Sequence, residues 1–143
     1  MISKLNMQQW FLATLAVFVF LSIEDYLLSR WVIEPWHGEL FPPTGSENIM
    51  VLRLWSYLGR LIFAGFFVLI YSKGFEGKPG FGEGIRYGIL IGLLIHVPAF
   101  FANLVTTTLS TDLLVVRMIL TILGLMLAGV LMSMIYKGAP KPA

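Results

Sequence analysis

Residues 10–32 read WFLATLAVFVFLSIEDYLLSRWV, an apolar run that is long enough to cross a lipid bilayer. A membrane-spanning α-helix needs roughly 20 consecutive apolar residues, with a range of about 17–25. Two adjacent acids, Glu24 and Asp25, interrupt the run. An ionisable side chain at membrane depth is costly and usually has a partner or a function. The run therefore predicts a membrane helix and marks the acid pair as the first place to look for a site.

Three further apolar runs follow, over residues 50–71, 87–105 and 113–136. Each has the length of a spanning helix, and none alternates between polar and apolar residues as a strand of a membrane barrel does. The four runs predict an all-α membrane protein with one domain, residues 1–143, whose helices form an antiparallel bundle. Aromatic residues near the run ends are expected at the membrane–water interfaces: Trp10, Trp31, Trp36, Trp55, Tyr71, Tyr87 and Tyr136.

The composition agrees with a membrane protein, because 57% of the residues are hydrophobic and only 13% are charged. Soluble domains have about a quarter of their residues charged. The absence of cysteine from the sequence excludes disulfides and thiolate metal sites. The net charge of +2 comes from scattered residues and not from a basic run. We therefore expect the lipid bilayer as a partner and no nucleic acid.

The distribution of Lys and Arg predicts the orientation. The loop between the second and third runs contains Lys73, Lys78 and Arg86, whereas residues 33–48 contain no Lys or Arg. Basic residues are also found at the start of the chain, at Lys4, and near its end. Because cytoplasmic loops carry an excess of Lys and Arg, we expect both termini and the middle loop in the cytoplasm.

Four polar residues on three helices are predicted at similar depths. At 1.5 Å per residue, Glu24 lies about 21 Å from the cytoplasmic helix end, Arg60 about 16–17 Å and His96 about 13–14 Å. Asp25 is about 100° around the helix from Glu24, so the two acids cannot share one narrow face. We therefore predict a bundle interior in which Glu24 or Asp25 pairs with Arg60, with His96 nearby. The pair either joins two helices or serves as a proton relay or ligand counter-ion.

The two histidines do not indicate a cofactor. A bis-histidine haem needs two intramembrane histidines, and His37, the only other histidine besides His96, lies in a loop. Glu34, His37 and Glu39 could be imagined as metal ligands, but a solvated loop is the simpler interpretation of three loosely spaced residues. We expect no metal and no cofactor.

Small residues at helical spacing predict close helix packing. Gly84, Gly88 and Gly92 recur every four residues and lead to His96, and Gly124 and Ala128 share a face of the last helix. Small residues four apart allow a neighbouring backbone to approach closely. These five positions are the predicted packing residues.

The segment 71–92, with its basic glycine-rich loop and the sequence GEGIRYG at 82–88, resembles a broad group of small, uncharacterised bacterial four-helix membrane proteins. The resemblance covers mainly the second half of the chain. It implies a bacterial inner-membrane location and brings no activity with it.

The sequence favours a non-enzymatic membrane subunit, either an accessory or scaffolding component of a larger membrane assembly or a homo-oligomer. No nucleophile–base pair or metal-ligand cluster can be assembled from its residues, so an enzyme is not expected. The alternative is a small transporter or proton-conducting protein that uses Glu24, Asp25, Arg60 and His96. Four helices without an internal repeat offer little room for alternating access within one copy.

Overall fold

The computed structural model describes residues 7–37, 48–74 and 80–136, and every regular element in these ranges is helical. The elements are α1 (Met7–Leu28), a π-helical turn (Ser29–Ile33), α2 (Glu34–His37), α3 (Ile49–Gly74), α4 (Phe81–Thr106) and α5 (Thr111–Ile135). Four helical segments of these ranges are long and apolar enough to cross a membrane: Met7–Ile33, Met50–Gly74, Phe81–Thr106 and Thr111–Ile135. The prediction of an all-α chain with four helices of membrane-spanning length is confirmed.

The helix ends differ from the predicted ones, most of all in α4. This helix begins at Phe81 rather than at Tyr87, so it includes part of the glycine-rich stretch that was predicted to be a loop. Glycine is a poor helix former in isolation, by about 1 kcal/mol relative to alanine. Here Gly84 and Gly88 are buried against α5. Tertiary packing of these glycines therefore overrides their low helix propensity.

The core lies where the first half of α1 meets the second halves of α3 and α5. Helix α1 packs on both α3 and α5, and α4 packs mainly on α5. The buried apolar side chains of this core are Ala13, Val17, Leu21, Ala64, Phe67, Val68, Tyr71, Leu125, Ala128, Met132 and Tyr136.

Three tyrosines meet at this end of the bundle. Tyr71 and Tyr136, which the sequence predicts at a membrane–water interface, are buried inside the protein. Their ring centroids lie 6.3 Å apart, and the ring of Tyr87 lies 5.2 Å from that of Tyr71. The Tyr87 hydroxyl donates a hydrogen bond to the backbone carbonyl of Phe67 and so connects α4 to α3. Edge-on aromatic contacts of this kind stabilise a core beyond the area that they bury.

The first half of α3 has a different environment from the second. Residues 50–59 are exposed without exception, including Trp55, whereas Ala64, Phe67 and Val68 are buried. Helix α3 is thus held by α1 and the tyrosines mainly along its second half, and residues 50–59 are exposed to the surroundings.

Candidate functional site

An ion pair joins α1 to α3. Nη2 of Arg60 lies 2.6 Å from Oδ2 of Asp25, which is the distance of a charge-assisted hydrogen bond. The Arg60 side chain is 19% exposed and that of Asp25 is 51% exposed. The guanidinium also lies 5.7 Å from the centroid of the Tyr57 ring, within the range of a cation–π interaction. Of the two acids that the sequence offered as partners for Arg60, the structure pairs Asp25.

Glu24 faces a different helix. An α-helix turns about 100° per residue, so the neighbour of Asp25 is directed away from α3. A Cβ atom built at Gly124 of α5 would lie 2.5 Å from both Cδ and Oε1 of Glu24. The Oε1 atom is buried and has no hydrogen-bond partner among the described residues. The carboxyl of Glu24 therefore occupies space that exists because residue 124 has no side chain.

Glu24 and Gly124 lie together in a groove between α1 and α5. Its volume is about 510 Å³. The walls are apolar side chains from both helices and the π-helical turn: Ile23, Leu27, Trp31, Leu120, Leu123 and Leu127. We call this feature the α1–α5 groove. Among its lining residues, Glu24 is the one that carries an ionisable group.

His96 belongs to another part of the structure. It is half-buried on α4 and lies within electrostatic range of Arg117 on α5. No hydrogen bond or ion pair in the described ranges joins it to Glu24, Asp25 or Arg60. Asp25 and Arg60 both lie within electrostatic range of Glu24. Of the four predicted polar residues, the structure thus bonds Asp25 to Arg60 and places Glu24 close to both. It does not connect His96 to them.

The predicted packing residues lie in three different environments. Gly84 and Gly88 touch the α5 backbone at Gly129 and Leu125, and Gly92 faces Ile122. A side chain at Gly84 or Gly88 would overlap those backbone atoms. Ala128 is fully buried in the core. Gly124 instead faces the Glu24 carboxyl, so it accommodates an acid rather than a helix backbone.

Two features of this region were not found by sequence reasoning. Gly129 is the α5 glycine against which α4 packs. The sequence offers one sign of this contact, because Gly129 and Ser133 are small residues spaced four apart. Glu83 has a buried Oε2 with no hydrogen-bond partner in the described ranges and lies within electrostatic range of Tyr71. Its position in a glycine-rich stretch, for which the sequence predicts a loop, gives no signal of burial.

A metal site is not formed by the described residues, because no three of their His, Asp and Glu side chains come together. Of the three residues considered from the sequence, Glu34 forms an ion pair with Arg30 at 2.6 Å. The side chain of His37 and the whole of Glu39 lie outside the described part of the chain.

Comparisons with protein-family models, with curated proteins and with solved structures give no match to this chain. The features that bear on function are therefore the Asp25–Arg60 ion pair, the α1–α5 groove and the exposed first half of α3.

Proposed function

We propose that this chain is a non-enzymatic integral membrane protein that acts as an accessory or scaffolding subunit of a larger membrane assembly or homo-oligomer. The observation that carries the proposal is the exposure of Asp25. Its carboxylate lies in a helix of membrane-spanning length, is bonded to Arg60, and still has 51% of its side chain exposed. Ionisable side chains in membrane helices almost always face a protein interior or a water-filled cavity. A helix from another subunit would cover the side of Asp25 that Arg60 leaves open.

The exposed first half of α3 is the surface on which such a helix would pack. Residues 50–59 and Asp25 together form what we call the α3 association surface. It contains Trp55, with 66% of its surface exposed, as well as the charged Arg53. Large aromatic and Arg side chains are enriched at protein interfaces. This mixture of an ion pair, an aromatic anchor and an exposed cation favours a protein neighbour over lipid tails alone.

The orientation in the membrane is part of the same proposal. The Lys and Arg distribution supports cytoplasmic termini, and the resemblance of segment 71–92 supports a bacterial inner membrane. The contacts of α4 with α5 support an antiparallel arrangement of these two helices. Gly84 meets Gly129, Gly88 meets Leu125 and Gly92 meets Ile122, so the partner number falls as the glycine number rises.

Photocrosslinking in native membranes tests the proposal directly. Trp55 is replaced by p-benzoylphenylalanine on the association surface, and Leu90 of α4, 65% exposed, is replaced in a matched control. We expect a discrete crosslinked protein from position 55 and only lipid adducts from position 90. An adduct of twice the chain mass indicates a homo-oligomer, and any other discrete mass indicates another subunit. Lipid adducts alone from position 55 would contradict the proposal.

The second candidate is a small transporter or proton-conducting protein that uses Glu24, Asp25, Arg60 and His96. One observation favours it, namely the buried Oε1 of Glu24 without a hydrogen-bond partner among the described residues. A proton pathway needs a chain of exchangeable groups. We rank this candidate second because, within the described ranges, no bond connects His96 to the other three residues.

A further inference from the structure

Among the described residues, no bonded cation balances the acid in the α1–α5 groove. Glu24 and Asp25 are two acids, and Arg60 is the base within electrostatic range of Glu24. Arg60 is bonded to Asp25 at 2.6 Å. With all three groups ionised, the cluster has one excess negative charge, and the acid without a bonded cation in the described chain is Glu24. A carboxylate removed from water without a partner is strongly unfavourable, so the Glu24 carboxyl either takes up a proton or is paired with a cation.

The shape of the groove suits an organic molecule. Its volume of about 510 Å³ lies within the range of about 300–1,000 Å³ that is usual for small-molecule sites. The lining is apolar on both sides, and the outward-facing side chains Ile23, Leu27 and Leu123 are about half exposed. A ligand could therefore enter sideways from the lipid phase.

Gly124 leaves room for the acid within the groove. Any side chain at this position would displace the Glu24 carboxyl, because a Cβ atom would lie 2.5 Å from its Oε1. The missing side chain allows the carboxyl to rest against α5 with apolar residues on either side. Trp31, in the π-helical turn, lines the same groove and is 74% exposed. The face of an indole ring attracts cations.

We propose that the α1–α5 groove binds a lipophilic organic cation, with its charge at the Glu24 carboxyl and its apolar body between α1 and α5. A neutral chain would leave the Glu24 carboxylate without a counter-ion among the described residues, and an anion would be repelled. A bare metal cation is disfavoured because hard cations need about six oxygen ligands, and Glu24 is the one ionisable residue among the described residues that line the groove. Cation binding in the α1–α5 groove is a separate function from the proposed assembly role and does not depend on it.

Two ions of equal size and opposite charge test the site in the full chain, reconstituted in lipid nanodiscs. Tetraphenylphosphonium and tetraphenylborate both enter bilayers, so empty nanodiscs supply the background for each. We expect saturable binding of one tetraphenylphosphonium per chain and no saturable binding of tetraphenylborate. Saturable binding of both ions, or of neither, would overturn the proposal.

Variants assign the binding to Glu24. We expect Glu24→Gln to bind tetraphenylphosphonium at least tenfold more weakly, whereas Glu34→Gln, which removes an acid paired with Arg30 outside the groove, binds as the wild type does. Equal affinity in Glu24→Gln would overturn the proposal. If that variant does not yield a helical, monodisperse protein, Leu123→Trp gives the answer. It fills the groove and keeps the carboxyl, so we expect binding to be lost, and unchanged binding would refute the site.

Discussion

The carboxyl of Glu24 on α1 occupies the place that a side chain at Gly124 on α5 would take. An acid one residue earlier or later on α1 would point about 100° away from Gly124. Asp25 does so and contacts Arg60 on α3. Two adjacent acids thus contact two different helices, one through an ion pair and one through a glycine. Helix α1 packs on both α3 and α5, so its two adjacent acids contact one of these helices each.

Removing Arg60 should destabilise the protein more than removing Arg117. Arg60→Leu leaves Asp25 without its counter-charge, and we expect a loss of about 1–2 kcal/mol, because one partner is half exposed and polar contacts in membrane proteins are modest. Arg117→Leu breaks no ion pair of the described residues and should cost less. Thermal unfolding in detergent gives the comparison. Equal losses in the two variants would argue against a stabilising Asp25–Arg60 pair.

The α4–α5 contact should not tolerate a single added methyl group. In Gly88→Ala the new Cβ would overlap the backbone of Leu125, which cannot move without displacing α5. We expect a loss of about 1–3 kcal/mol from overpacking. Gly59→Ala is the matched control, since no atom lies within 4 Å of its added Cβ. That variant should keep or slightly gain stability, by up to about 1 kcal/mol, because alanine is the better helix former. A tolerated Gly88→Ala would show that α4 and α5 pack less closely.

These residues show how far the sequence alone could lead. The four apolar runs, the pairing of an acid on the first helix with Arg60, and close packing at Gly84 and Gly88 all follow from length, charge and spacing. The position of His96 does not, because depth along a helix says nothing about which neighbour a side chain faces. The sequence also could not predict that Gly124 makes room for the Glu24 carboxyl. Whether a glycine admits a backbone or a carboxyl depends on how the helices are rotated against each other.

The hydrogen bond from Tyr87 to the carbonyl of Phe67 should contribute measurably to the attachment of α4. Tyr87→Phe keeps the ring contacts and removes only the hydroxyl, so we expect a loss of about 0.5–1.5 kcal/mol. Tyr57→Phe is the control, because the exposed Tyr57 contacts Arg60 through its ring, and phenylalanine keeps that face. Chemical denaturation in mixed micelles measures both. A Tyr87→Phe protein as stable as the wild type would mean that water or lipid replaces the lost donor.

The proposed orientation makes a simple prediction. Reporter fusions at the C-terminus should report the cytoplasm, and a reporter inserted near residue 45 should report the opposite side, because residues 33–48 lack Lys and Arg. Moving positive charge into that segment, with Glu47→Lys and Asn48→Lys together, should weaken the preference. A C-terminus on the periplasmic side in the unmodified chain would reverse the orientation and the depths derived from it.

The final prediction separates an assembly subunit from a proton-conducting protein. In the double variant Glu24→Gln, Asp25→Asn, the amides keep the shape of the acids, and the amide oxygen at position 25 can still accept a hydrogen bond from Arg60. An amide cannot exchange the proton that a relay must carry. For a subunit that only binds its neighbours, we expect the Trp55 crosslink to persist in the variant. We also expect reconstituted vesicles of the wild-type chain to show no more proton flux than protein-free vesicles.

A measurable flux in the wild type that disappears in the double variant, while the crosslink persists, would contradict the assembly role as the main function. That result would place at least one of the two acids in a transport mechanism. Glu24 is the first candidate, because its Oε1 is a buried acceptor without a hydrogen bond in the described chain. The single variants then divide the effect. Loss of flux in Glu24→Gln alone indicates the α1–α5 groove, and loss in Asp25→Asn alone indicates the ion pair with α3.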